Sequence, residues 1–123
     1  MTLRLADPDA LYPTRVEVDV PGVDKPLECV LHFRLLEPAD VRELLLDGDV
    51  EYFAGVVADW EEVEDHEGNP LEFSRENVEK LGRIQYVVAS VVRAYGEFVQ
   101  GLPGKTSARS RVNGAPRARA ATN

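Results

Sequence analysis

The hydrophobic period of the chain changes at Glu37-Pro38. Upstream, Val16, Val18 and Val20 alternate with Arg15, Glu17 and Asp19 from Thr14 onward, the period-two pattern of a strand with one wet face. Pro21-Gly22 ends that run, and after a turn through Pro26 a second, more apolar run covers residues 27–36. The two runs are expected to pair as a hairpin. Downstream the apolar spacing is helical. Strands first and helices afterwards make an α+β domain: an N-terminal β-hairpin followed by about four helices, with a small second hairpin near residues 60–73.

Pro38 suits a first helical position, and Glu37 and Asp40 suit the positive end of the helix dipole. Leu44, Leu45 and Leu46 are expected to form the core face of this first helix. Asp47-Gly48-Asp49 interrupts the pattern, and Val50, Phe53, Val56 and Val57 resume it at helical spacing as far as Trp60, a second helix. The stretch "DWEEVEDHEGNPLEFS" then carries Trp60, Val63, Leu71 and Phe73 among carboxylates, with Gly68-Asn69-Pro70 as its turn. Ser74 is a good N-cap, although Asn77 stands where a capping box has Glu or Gln. From Val78, the positions Leu81, Ile84, Val88, Val91, Val92, Tyr95 and Phe98 recur at steps of three and four, an amphipathic helix to about Gln100 that Gly82 can split in two. Gly101-Leu102-Pro103-Gly104 stops it.

The expected organisation is an arm at 1–12, a single domain at 13–101 and a basic tail at 102–123 without a periodic apolar face, expected to be disordered. Charge divides the same way. The first 101 residues hold all 22 acidic residues and nine of the 14 basic ones, a net charge near −13, and the rest hold only Lys105, Arg109, Arg111, Arg117 and Arg119. An acidic body repels phosphate backbones, so nucleic acid is not the expected partner of the domain. The tail alone has the charge to meet RNA, DNA or an acidic protein, against the simpler reading of a solvated end. Apolar stretches such as Val87-Val88-Ala89 are too short to span a bilayer, and the first ten residues lack the apolar core of a signal peptide. A cytoplasmic protein that does not enter the membrane is expected.

The residues of common chemistries are present without their partners. A calcium loop built on Gly68 would put Val63 first and Ser74 last among its ligands, and neither serves. Neighbouring carboxylates such as Glu61 and Glu62 point to opposite faces of an extended chain. His32 and His66 have no second His or Cys at ligand spacing. The stretch "GLPGKT" has glycines three apart around a proline, with no strand before it or helix after it, and only mimics a phosphate loop. Ser74 and Ser90 have no positioned base. Cys29, the single cysteine, lies in Cys29-Val30-Leu31 as a small hydrophobe. No catalytic residue, metal site or cofactor is expected.

The hairpin ending in "LHFRLLEPADVREL", the segment "WEEVEDHEGNPLEFSRENVEKL" and a last helix closing on "VRAYGEF" together resemble the tail assembly chaperones of long-tailed bacteriophages and prophages. The pattern in that family is a Trp, an acidic stretch, an acidic-Gly pair, a Pro, an apolar-Phe step, a Ser that starts a helix, and a later Ala-Tyr. Here Trp60, Glu62 to Asp65, Glu67-Gly68, Pro70, Leu71, Phe73, Ser74 and Ala94-Tyr95 supply it, and the resemblance covers about residues 14–100. It implies a non-enzymatic protein that binds the tape measure protein and keeps it soluble while tail tube subunits assemble, with the tube protein and a second copy of the chain as further partners left open. Many members of the family end soon after the last helix, often in Lys-Asn. In related systems a frameshift appends an extension that recruits tube subunits, and the basic tail here is an analogue or remnant of it on this reading.

The candidate partner-binding residues are Trp60, Phe73, Val88, Val91, Tyr95 and Phe98, with the final stripe most simply core and part of its face left for a partner. Trp60, Leu71 and Phe73 are expected to pin the second hairpin to the helices. The alternative class is an acidic phage-encoded interaction protein, either a head–tail joining factor or an inhibitor that imitates nucleic acid.

Overall fold

The computed structural model describes residues 1–101; the basic tail expected at 102–123 lies outside them. Along the chain run β1 (Leu11–Val18), β2 (Leu27–Arg34), α1 (Pro38–Asp47), α2 (Asp49–Val56), β3 (Val57–Glu61), α3 (Arg75–Gly82) and α4 (Gln85–Val99). The strands form one antiparallel sheet in the order β1-β2-β3. The α+β class and the opening hairpin are as the sequence indicated.

In the hairpin, Val16 faces Cys29 and Thr14 faces Leu31. The inward side chains Val16, Leu31 and Phe33 are buried, while Arg15 and Glu28 on the other face are exposed and paired at 3.3 Å. β1 starts at Leu11 rather than at Thr14. Its first residues are held by aromatic contact, since the Tyr12 ring lies 5.4 Å from Phe98. Alternation of valines alone could not reveal that contact, which comes from the far end of the chain.

The expectation of helix through Trp60 is wrong. α2 stops at Val56, and residues 57–61 form a strand on the edge of β2. The pairing is irregular: Leu31 faces Trp60 and His32 faces Asp59, but Phe33 faces Val57, so Ala58 is an extra residue. This bulge turns a three-residue step on β3 into a two-residue step on β2. Val57 and Trp60 thereby both reach the core, at 1% and 6% exposure, and a spacing that looks helical is made by a strand. Arg34 secures the change of conformation. Its Nη1 lies 2.9, 3.1 and 3.3 Å from the carbonyl oxygens of Ala54, Gly55 and Val57, covering groups left open at the helix end and adding positive charge to the negative pole of the dipole.

α1 also departs from expectation. Three successive leucines advance 100° each and cannot share one face. Leu44 packs against the core, whereas Leu45 and Leu46 are 49% and 87% exposed, and no residue of α1 is buried among those described. α2 buries Tyr52, Phe53 and Val56. Between α3 and α4 the chain breaks at Gly82, where an added Cβ would stand 2.9 Å from the Val50 Cα of α2. The Ser74 hydroxyl accepts the Asn77 N–H at 3.1 Å, and the Asn77 side chain donates back to the Glu72 carbonyl at 2.8 Å. The amide thus closes the cap by a different route from a capping box.

Candidate partner-binding groove

α1 and α4 each present a helical stripe of apolar residues to the same space. Pro38, Val41 and Leu45 form one wall, Val92, Gly96 and Val99 the other, and Leu36, Tyr52 and Tyr95 the floor, with Arg42 the one charged residue lining it. The space measures ≈ 340 Å³ and opens to solvent. Val92 and Val99 are 40% and 47% exposed, and a Cβ placed on Gly96 would find no atom within 4 Å. Two apolar ridges over an apolar floor are the shape that receives an amphipathic helix or an extended apolar peptide.

The floor is fixed by one phenol. The Tyr95 hydroxyl donates to the Arg34 carbonyl at 2.7 Å and accepts the Leu36 N–H at 3.0 Å, which ties α4 to the segment leading into α1. Its ring meets Phe33 edge-on at 5.2 Å and Tyr52 at 6.5 Å. Burial pushes both phenols, Tyr52 and Tyr95, above the ordinary tyrosine range, so the groove floor stays neutral at physiological pH.

The six candidates from the sequence divide. Trp60, Val88, Val91 and Tyr95 are buried, Phe98 packs against the core beside Tyr12, and Phe73 is 39% exposed. The residues of α4 that line the groove are instead Val92, Gly96 and Val99, beside Tyr95 in its floor. A signal for this was present in the width of the α4 stripe, because at 100° per residue Val92 and Val99 fall at its edge, beyond Val91 and Tyr95. On α1 the surplus of leucines over what one face can bury carried the same message.

In place of the expected second hairpin, the segment after β3 is a loop closed by a single bridge between Glu64 and Pro70, and Trp60 of β3 and Phe73 pack where it returns. The indole N–H donates to the Leu71 carbonyl at 2.8 Å, and the ring meets Phe73 edge-on at 5.0 Å and Phe53 at 6.2 Å. Leu71 N–H bonds the Val63 carbonyl and Asp65 N–H the Asn69 carbonyl, each at 2.8 Å, around a turn where Gly68 takes φ 86°. The Asp65 carboxylate accepts the N–H groups of Glu67 and Asn69, both at 2.9 Å. Those bonds, that of Asn69 first, hold its pKa below the usual carboxylate range. This acid is a turn cap.

Elsewhere, His32 sits 2.8 Å from Glu61 across the strands, and Arg15 bonds both Glu28 and Glu62. Burial raises the Cys29 thiol to about 11, which leaves it protonated and unreactive at neutral pH. Among the described residues no three His, Cys, Asp or Glu side chains converge to hold a metal ion, and no helix is long and apolar enough to cross a membrane. Compared with protein-family models, with curated proteins and with solved structures, the chain matches none of them.

Proposed function

We propose that this chain is a phage tail assembly chaperone, a non-enzymatic protein of the host cytoplasm that binds the tape measure protein and keeps it soluble while the tail tube forms around it. The observation that carries the reading is the α1–α4 groove: an open apolar surface on a body whose net charge is near −13. A client with long apolar helices needs its apolar stripe covered and charge added to the complex, and this combination supplies both. The groove residues Val92 and Val99 take the role of client contact, while Trp60, Val88, Val91 and Tyr95 hold the framework behind them.

The test is co-expression of the tagged chain with the longest coiled-coil-rich reading frame encoded beside it. The client is expected to become soluble and to co-elute, and Val92→Asp is expected to abolish both effects without unfolding the chaperone. A client that stays insoluble with the unaltered chain overturns the reading. The carboxylates on and after β3, Glu61, Glu62, Glu64 and Glu67, which are all exposed, favour a second reading as an acidic mimic of nucleic acid. That reading predicts salt-sensitive binding to a DNA-binding protein.

A further inference from the structure

Among the described residues the arm that precedes β1 is, like the groove, apolar and uncovered. Met1, Leu3 and Leu5 are 126%, 83% and 80% exposed. In an extended chain these alternate residues fall on one side, and Arg4 is the only charged side chain among residues 1–6. We propose that Leu3 and Leu5 of one copy dock in the α1–α4 groove of a second copy, reciprocally, so that the chain on its own is an arm-exchanged dimer.

The placement of the arm's root carries the argument. Leu11 pairs with Arg34, two residues before the groove's floor residue Leu36, and the Tyr12 ring lies against Phe98, which precedes Val99 on the groove wall. Arm and groove therefore lie at one end of the molecule. The arm does not lie in its own groove, since Leu3 and Leu5 are exposed, and a turn shapes its root: the Asp7 carbonyl accepts the Tyr12 hydroxyl at 2.7 Å and the Ala10 N–H at 3.4 Å, and the Asp7 carboxylate accepts the Asp9 N–H at 2.9 Å. Beyond that turn six extended residues reach about 20 Å, enough to cross a contact and run along a facing groove. A two-fold contact at this end places each arm over the other copy's groove and covers both features at once. Open space over Gly96 admits the arm backbone, and Arg4, which alternates with Leu3 and Leu5 in an extended arm, is turned away from the groove and from Arg42, its one charged lining residue.

This inference goes beyond the chaperone reading and does not depend on it, since it is read on the chain alone, with no client. Sedimentation velocity of the full chain over a range of concentrations is expected to show a dimer. Leu3→Asp with Leu5→Asp is expected to raise its Kd by on the order of 100-fold or more, as for two leucines withdrawn from an apolar site. Val92→Asp with Val99→Asp is expected to do the same, with far-UV circular dichroism unchanged in both variants. Mixing the two variants, differently tagged, then decides the matter. Each mixed pair keeps one intact arm facing one intact groove, so a heterodimer is expected at concentrations where either variant alone is monomeric. A chain that is monomeric at every concentration, a dimer insensitive to either pair of substitutions, or variants that fail to associate on mixing would each overturn the proposal.

Discussion

Helices α1 and α2 are separated by Gly48 alone, yet one is surface and the other is core. α2 buries Tyr52, Phe53 and Val56; α1, with three consecutive leucines, buries nothing. Leucine content does not explain the difference. α2 lies between the sheet and α3, where Phe53 meets Trp60 and Gly82 brings α3 against Val50, so its apolar side chains are enclosed from two directions. α1 has α2 and the groove on its inner side and only solvent on its outer side. A helix held from one direction can give way, and a helix held from two cannot.

The largest effect that tests this contrast is expected at Phe53, which is fully buried. Phe53→Ala should cost about 3–5 kcal/mol in urea-induced unfolding, as for other large-to-small changes in a closed core. A loss near 1 kcal/mol would mean that α2 is no better enclosed than α1. Next comes Gly82→Ala. The obstacle is the Cα of Val50, a backbone atom that cannot rotate aside, so α3 must move off α2 at a cost of about 1–3 kcal/mol. A neutral result would show that this interface is as compliant as the other.

Gly55→Ala puts the same question to the α1 side. The added Cβ would collide with Leu44 Cδ1, and with Leu44 Cδ2 at 2.9 Å, a tighter contact than that at Gly82. The obstacle, however, is the end of a flexible side chain on a helix with no buried residue. Displacing it should cost little, and alanine regains roughly 0.5–1 kcal/mol of helix propensity. The net change is expected within about 1 kcal/mol of zero, measured by the same unfolding curves. If Gly55→Ala proves worse than Gly82→Ala, α1 is anchored more firmly than its exposure indicates.

What could be read from the sequence follows the range of the forces involved. The Ser74 cap and the turn at Gly68 are set by residues within a few positions of one another, and the hairpin and the break at Gly82 are marked by residues at the turn and the break themselves; all were legible. β3 was not, because the spacing of Val57 and Trp60 acquires its meaning from a bulge opposite His32 and Phe33, residues some 25 positions away. The groove was legible only as a surplus. The width of the α4 stripe and the leucine triplet announce more apolar surface than one helix face can bury, but which residues stay outside depends on where Tyr95 pins α4 against the Leu36 segment. Trp60 and Tyr95 had the character of partner-binding residues by type, since both are large with a polar tip. Both spend that tip on a carbonyl of their own chain, Leu71 for the indole and Arg34 for the phenol.

The smallest expected effect on stability carries the most information about function. Leu45 and Leu46 are 49% and 87% exposed, and replacing each with Gln should change the unfolding free energy by no more than about 0.5 kcal/mol, the usual range for surface sites. Leu45 lines the groove and Leu46 does not, so the two part company in binding. Leu45→Gln should weaken both dimerisation and client capture, because it puts an amide into a surface whose partner offers no hydrogen bond. Leu46→Gln, the more exposed of the two, should leave both unchanged. Sedimentation and pull-down on this pair separate a shaped site from general stickiness: if the two substitutions weaken binding in proportion to the exposure of the leucine removed, α1 is an undifferentiated apolar surface, and the groove has no special standing.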